Sequence, residues 1–208
     1  MMHGIVLIGA SGHAKVVIEL FRASGKHVAY CIGTDPKIES CLDVSVLVGD
    51  HHIARLREDG FEDAFVAVGS NRLRARLAEF ALQAGFNLVN AISPNATISP
   101  TVRLGRGIAV MAGAIINADS RIDDLAIINT AATIDHDCVI GRAVHIAPQC
   151  ALAGNVVVGE YAFLGIGTTV VPSMNIGIAA TVGAGGVVIA DIAANVVAFG
   201  VPAQQRHF

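Results

Sequence analysis

The 208-residue chain has no tryptophan, two tyrosines and four cysteines, and only 15% of it is charged. Each shortage excludes something. Lys and Arg do not cluster and the formal net charge is -3, so no electrostatic footprint for nucleic acid exists. Cys31, Cys41, Cys138 and Cys150 form no CxxC pair and no metal-finger spacing, so they read as reduced, small, apolar fillers and no metal is expected. No run of about twenty apolar residues occurs, so no membrane span is expected. Met1-Met2-His3-Gly4 lacks a basic n-region, which argues against a signal peptide and makes the cytoplasm the expected compartment. With 53% hydrophobic residues, so little charge implies surface buried between subunits.

What is present divides into two halves. Residues 1–90 alternate strand-like and helix-like segments. Ile5 to Ile8, Val28 to Ile32, Val44 to Val48 and Ala64 to Val68 read as strands. Ala14 to Ala23, His52 to Glu58 and Leu73 to Ala84 read as helices, the last ended by Gly85. Such alternation predicts a small Rossmann-like parallel α/β sheet.

Residues 91–208 follow another rule. Every sixth residue from Ile92 to Val188 is Ile, Leu or Val, seventeen positions without a break. Four residues after each comes a mostly small side chain, and six of the residues directly after the aliphatic are glycine. A helix of 3.6 residues per turn cannot use that period. A parallel β-helix can: each hexapeptide supplies one short strand and one corner, and the aliphatics stack into a continuous core. The glycines are expected to serve the corners and the interior to carry no polar side chains.

Function must come from residues that interrupt this regularity. The densest group is Asn129-Thr130, then Asp135-His136-Asp137, then His145. An imidazole beside a carboxylate has its tautomer fixed and its basicity raised, which suits a general base. A solvated turn with the same residues is the alternative. His136 and His145 are nine residues apart, half an eighteen-residue coil. They therefore fall on different faces of one prism, and a groove between subunits would be needed to join them. In the first half, Gly9-Ala10-Ser11-Gly12-His13 lies between a strand and a helix, the place for a phosphate at a helix N-terminus or for a plain tight turn. Gly69-Ser70-Asn71 is a second such turn, and Asp35 ends the second strand. His51-His52 reads as a solvated pair rather than a metal site.

Together, Gly9-Ala10-Ser11-Gly12-His13, Ile134-Asp135-His136-Asp137-Cys138-Val139-Ile140-Gly141, Ala153-Gly154-Asn155 and the closing Gly200-Val201-Pro202-Ala203 resemble the hexapeptide-repeat nucleotide-sugar N-acetyltransferases of bacterial glycan synthesis. The resemblance covers essentially the whole chain. It implies a left-handed parallel β-helix, a homotrimer, and acetyl-CoA as co-substrate without a metal. Family members acetylate the 4-amino group of UDP-linked 4-amino-4,6-dideoxysugars on the path to bacillosamine, or of GDP-perosamine. Related chains O-acetylate sialic acid, which is the alternative activity. By the same resemblance His136 is the general base and Asp137 the acid that tunes it, where relatives carry Glu. Gly154 supplies the amide facing the thioester oxygen, and His145, Ile166 and Ala184 lie along acetyl-CoA. Ser11, Gly12, His13 and Gly69 receive the nucleotide sugar. Thr34 and Asp35 read the base. Relatives that read uracil carry two acids there, so Thr34 is a departure.

Overall fold

The computed structural model describes residues 4–206; His3 and His207, which the sequence left unassigned, lie outside that range. The chain separates into two compact units, Met1–Pro94 and Asn95–Phe208.

The first unit is a six-stranded sheet with three helices. Strands β1 (Ile5–Ile8), β2 (Val28–Gly33), β3 (Ser40–Cys41), β4 (Val44–Val48), β5 (Asp63–Val66) and β6 (Asn87–Leu88) lie in the order β3-β4-β2-β1-β5-β6. Helices α1 (Gly12–Ala23), α2 (His51–Glu58) and α3 (Asn71–Gln83) connect them. Every pairing is parallel except β3 with β4. All four side chains of β1 are buried, as a central parallel strand requires. Ala14, Val17, Ile18 and Phe21 form the buried stripe of α1, and Phe21 meets Phe65 edge to face at 5.7 Å. Strands β3 and β6 were not anticipated, because two residues carry no periodicity to read.

β1 and β5 are neighbours, so the turns that follow them are neighbours too. The Ala67 amide donates to the Ile8 carbonyl at 2.8 Å. Gly9 has φ +125°, and a Cβ on it would lie 2.6 Å from the Ala67 carbonyl oxygen. Only glycine fits that approach.

The second unit is a left-handed parallel β-helix built of two-residue strands. One face stacks Ala109–Val110, Ile127–Ile128, His145–Ile146, Phe163–Leu164 and Thr181–Val182. A second stacks Thr97–Ile98, Ile115–Ile116, Thr133–Ile134, Ala151–Leu152, Thr169–Val170 and Val187–Val188. A third stacks Arg103–Leu104, Arg121–Ile122, Val139–Ile140, Val157–Val158 and Asn175–Ile176. Each partner is eighteen residues on, one coil, in unshifted register. The sixth-residue aliphatics are buried from Val110 to Val188. The last strands, Val197–Phe199 and Gln204–Arg206, pair antiparallel.

Two expectations need correction. The glycines after the aliphatics do not supply unusual dihedrals. They sit where stacked coils nearly touch: a Cβ on Gly159 would lie 2.7 Å from the Ile178 amide nitrogen, and one on Gly165 would lie 2.6 Å from that of Ala184. The left-handed corner residue comes two positions later and is mostly not glycine. Asp119, Asp137, Asn155 and Ser173 occupy it along one edge, with φ between 58° and 64°. The interior is also not wholly apolar, since Ser120 and Thr168 are both 0% exposed inside it.

Candidate active site

The edge between the second and third faces carries His136, Asp137 and Gly154. His136 and Gly154 are eighteen residues apart and occupy the same place in successive coils; the Asn155 amide donates to the His136 carbonyl at 3.0 Å. The His136 ring therefore lies against a backbone with no side chain. His136 Nδ1 is 2.8 Å from Asp137 Oδ2. A carboxylate only accepts, so Nδ1 carries the proton and Nε2 keeps its lone pair. This bond, aided by the charges of Asp135 and Asp137, raises the His136 pKa above the usual 6.5. The ring is about half exposed.

Asp135 has a different task. Its Oδ1 accepts the His136 backbone N–H at 2.8 Å and the Asn117 side-chain amide at 2.9 Å. These bonds hold its pKa below the ordinary carboxylate value, the Asn117 bond most of all. Of the two acids flanking the imidazole, Asp137 makes the ring contact and Asp135 holds the backbone.

His145 lies on the first face, away from that edge. Asn129, one coil below, places its Nδ2 3.1 Å from His145 Nε2. Asn129 Oδ1 accepts the Thr130 amide at 2.8 Å, which turns Nδ2 toward the ring. The amide then donates to Nε2, and the His145 proton sits on Nδ1. Phe163 closes on the ring edge to face, at 5.3 Å. Ile166 and Ala184 stack at the edge between the first and second faces, where the Gly185 amide donates to the Ile166 carbonyl. Ile166 is 57% exposed. One prism thus brings His136, Asp137 and Gly154 together at one edge and leaves His145 on the first face and Ile166 and Ala184 at the edge that follows it.

In the first unit, a cleft of about 310 Å³ opens at the sheet edge where β1 and β2 end. Gly9, Ala10, Ser11, Thr34, Asp35 and Asp50 are among its lining, over a floor that includes Ile8, Ile32 and Val68. Gly12, His13 and Gly69 are not part of that lining. α1 has no side-chain cap and no acid in its first turn, and neither does α3, so both N-termini keep their positive ends. Asp35 Oδ1 accepts the Lys37 amide. His13 Nε2 is buried without a hydrogen-bond partner, and burial, with Arg74 nearby, drives its pKa down to about 4. The imidazole is therefore neutral at pH 7.

Sequence reasoning missed Arg74. Its side chain is buried under the second glycine turn and donates to the Val68 and Gly69 carbonyls and to Asn71 Oδ1, each at 3.0 Å. Burial lowers its pKa to about 10. The available signal was its place on the stripe of α3 shared with Ala78 and Ala81, where an arginine needs carbonyl partners. His51 and His52 stack at 4.1 Å, and no group of three or more metal-ligating side chains occurs among the described residues. No helix of the described residues is long and apolar enough to cross a membrane.

Comparison with known proteins gives this geometry a family. Residues 4–80 match the model of the PglD N-terminal domain. The crystal structure of PerB from Caulobacter crescentus, in complex with CoA and GDP-perosamine, is 54% identical. The match covers 100% of this chain and 99% of that one, with a TM-score of 0.97. The acetyltransferase domain of PglB from Neisseria gonorrhoeae, in complex with acetyl coenzyme A, is 37% identical over 97% of this chain and 98% of that one, with a TM-score of 0.90. An uncharacterized protein, L142, of Acanthamoeba polyphaga mimivirus is 32% identical over 120 residues; the match spans 24% of its length. With a 54% identical relative matched from end to end, the chain belongs to the hexapeptide-repeat nucleotide-sugar N-acetyltransferases, acyltransferases that use acetyl-CoA.

Proposed function

We propose that this protein acetylates the 4-amino group of GDP-perosamine, or of a closely similar nucleotide-linked 4-amino-4,6-dideoxysugar, in the cytoplasm as a step of O-antigen or related glycan synthesis. The observation that carries the reading is the His136 ring, tied to Asp137 and lying against Gly154. The Gly154 amide has no hydrogen-bond acceptor among the described residues. Base and oxyanion donor are therefore adjacent.

The division of labour follows. The first unit holds the nucleotide: Ser11, Gly12, His13 and Gly69 stand where two uncapped helices receive the diphosphate, and Thr34 and Asp35 read the base. A carboxylate such as Asp35 suits the paired N–H donors of guanine, and the 54% identical PerB was crystallised with GDP-perosamine. The second unit runs the chemistry. The neutral sugar amine attacks the thioester carbonyl, and His136 Nε2 takes the amine proton. Negative charge on the carbonyl oxygen meets the Gly154 N–H, a donor of the kind worth roughly 3 kcal/mol. The intermediate collapses, the C–S bond breaks, and the imidazolium returns its proton to the coenzyme thiolate. The products are the amide and coenzyme A. No acyl-enzyme forms. His145, Ile166 and Ala184 flank acetyl-CoA.

Because His136, Asp137 and Gly154 lie at one edge of a prism, and His145, Ile166 and Ala184 on the first face and the edge after it, a complete cleft would take the two groups from different subunits. This supports a homotrimer in which one subunit's His136 faces another's His145. The test is thiol release from acetyl-CoA with GDP-, UDP- and dTDP-4-amino-4,6-dideoxysugars and with sialic acid. Turnover with the GDP sugar, lost at least a hundredfold in His136→Ala, is expected. Turnover of sialic acid alone would instead favour O-acetylation, and a fully active monomer would remove the shared cleft.

A further inference from the structure

Inside the β-helix, the mostly small residue four places after each aliphatic fills a corner. At the third-to-first edge these residues are Ile108, Ala126, Val144, Ala162 and Ala180, all apolar. At the other two edges four are polar: Ser120, Cys138, Cys150 and Thr168. All four are buried. Ser120, Cys138 and Cys150 each donate from inside the prism to a carbonyl of the next coil, and Thr168 donates chiefly to a carbonyl of its own turn. Ser120 Oγ donates to the Asp135 carbonyl at 2.8 Å, and Cys138 Sγ to that of Ala153 at 3.3 Å. Cys150 Sγ donates to the Gly165 carbonyl at 3.1 Å. Thr168 Oγ1 bridges Gly165 at 2.7 Å and Gly183 at 3.4 Å.

Those four carbonyls belong to the residues immediately before His136, Gly154, Ile166 and Ala184. In a trans peptide the C=O and the following N–H point in opposite directions. A carbonyl held inward therefore aims the next amide outward. The His136 amide is taken by Asp135 Oδ1. The amides of Gly154, Ile166 and Ala184 have no acceptor among the described residues. Ser120 Oγ also accepts the Cys138 amide at 3.1 Å, so it braces both ends of the His136 turn. Burial raises the thiol pKa of Cys138 and of Cys150, which keeps both thiols protonated and able to donate.

We infer that Ser120, Cys138, Cys150 and Thr168 are positioning residues of the transferase site: each clamps from within the one turn, or for Thr168 the two turns, that presents a reacting or coenzyme-binding group outside. The inference rests on the site assignment above. Along the same edge as Ser120 and Cys138, the corner residues of the flanking coils are Val102 and Val156, and the turns they support carry no assigned group. Polar side chains are thus placed inside only beneath the working turns.

The experiment is steady-state kinetics on the full-length protein with acetyl-CoA and the best nucleotide sugar, alongside thermal midpoints. Ser120→Ala and Cys138→Ala are expected to lower kcat roughly tenfold, with the KM for sugar changed less than about twofold, since small misplacements of reacting groups are costly. Cys138→Ser, which restores a donor, should recover most of that loss. Thr168→Val keeps the side-chain shape and removes the donor; the KM for acetyl-CoA should rise roughly fivefold. Val144→Ala, a cavity at the edge without assigned groups, should lower the midpoint and leave kcat unchanged. Equal kinetic loss in Val144→Ala, no rescue by Cys138→Ser, or an unchanged Thr168→Val would overturn the inference. His136→Ala separates the two layers: if it stays active, the site assignment fails, whereas an inactive His136→Ala with unaffected interior variants sinks the positioning role alone.

Discussion

Gly154 stands one coil above His136 with no room for a side chain: a Cβ built on it would lie 2.7 Å from His136 Nε2 and 2.5 Å from Cε1. In the proposed mechanism the ring that would accept the proton and the amide that would steady the oxyanion are therefore set by one contact. Gly154→Ala should push the imidazole off its Asp137 partner. A loss of roughly a hundredfold in kcat is expected, as for other small displacements of reacting groups. The thermal midpoint should barely move, because the ring is exposed. Wild-type turnover in this variant would show that the His136–Gly154 contact is not used.

The bond from Asp137 to His136 makes a prediction about pH. As the proposed general base, His136 would have to be neutral. Its pKa is raised, chiefly by Asp137, so the acidic limb of the kcat/KM profile should lie above 6.5. Asp137→Asn removes the charge and leaves a weaker acceptor. The limb should then move down toward the ordinary histidine value while the plateau falls. For folding, a raised pKa contributes stability below 6.5 that is lost as pH rises through the folded value. A limb that does not shift in Asp137→Asn would assign the titration to another group.

The β-helix was legible because its rule is one-dimensional. A single aliphatic every sixth residue, from Ile92 to Val188, leaves no other period available. The Asp135-His136-Asp137 cluster was equally plain, because three polar residues interrupt that rule at one corner. What each acid does was not legible. Asp135 and Asp137 both neighbour the imidazole in sequence, and only the left-handed φ of 58° at Asp137 turns its carboxylate onto the ring. Ser120 was hidden for a related reason. In sequence it is one small corner residue among many, and its function appears only when the carbonyl of Asp135, fifteen residues on, arrives above it. Arg74 was obscured because a helix rich in arginine reads as a solvated face.

His13 should make the first unit acid-sensitive. Its folded pKa is about 4 against 6.5 for the free side chain. Between those values the unfolded chain binds a proton that the folded unit refuses, so its contribution to stability is full above pH 6.5 and is lost as pH falls toward 4. Urea melts at pH 7, 6 and 5 should show this decline, and His13→Leu should flatten it. The same slope in both proteins would place the sensitivity elsewhere.

Asn129 fixes which nitrogen of His145 carries a proton. Its Nδ2 donates to Nε2 at 3.1 Å, an arrangement open to the neutral ring and closed to imidazolium, whose two nitrogens both donate. In the proposed site, a neutral ring would place no full positive charge beside acetyl-CoA. Asn129→Asp replaces the donor by an acceptor, which draws a proton onto Nε2 and charges the ring or strips Nδ1. The KM for acetyl-CoA should rise roughly tenfold, an amount in keeping with the loss of one hydrogen bond to a partly buried group, and it should become pH-dependent near neutrality. Asn129→Ala removes the donor without supplying an acceptor and should give a smaller rise with no new pH dependence. Identical pH profiles for the two variants would mean that the amide packs beside His145 without setting its tautomer.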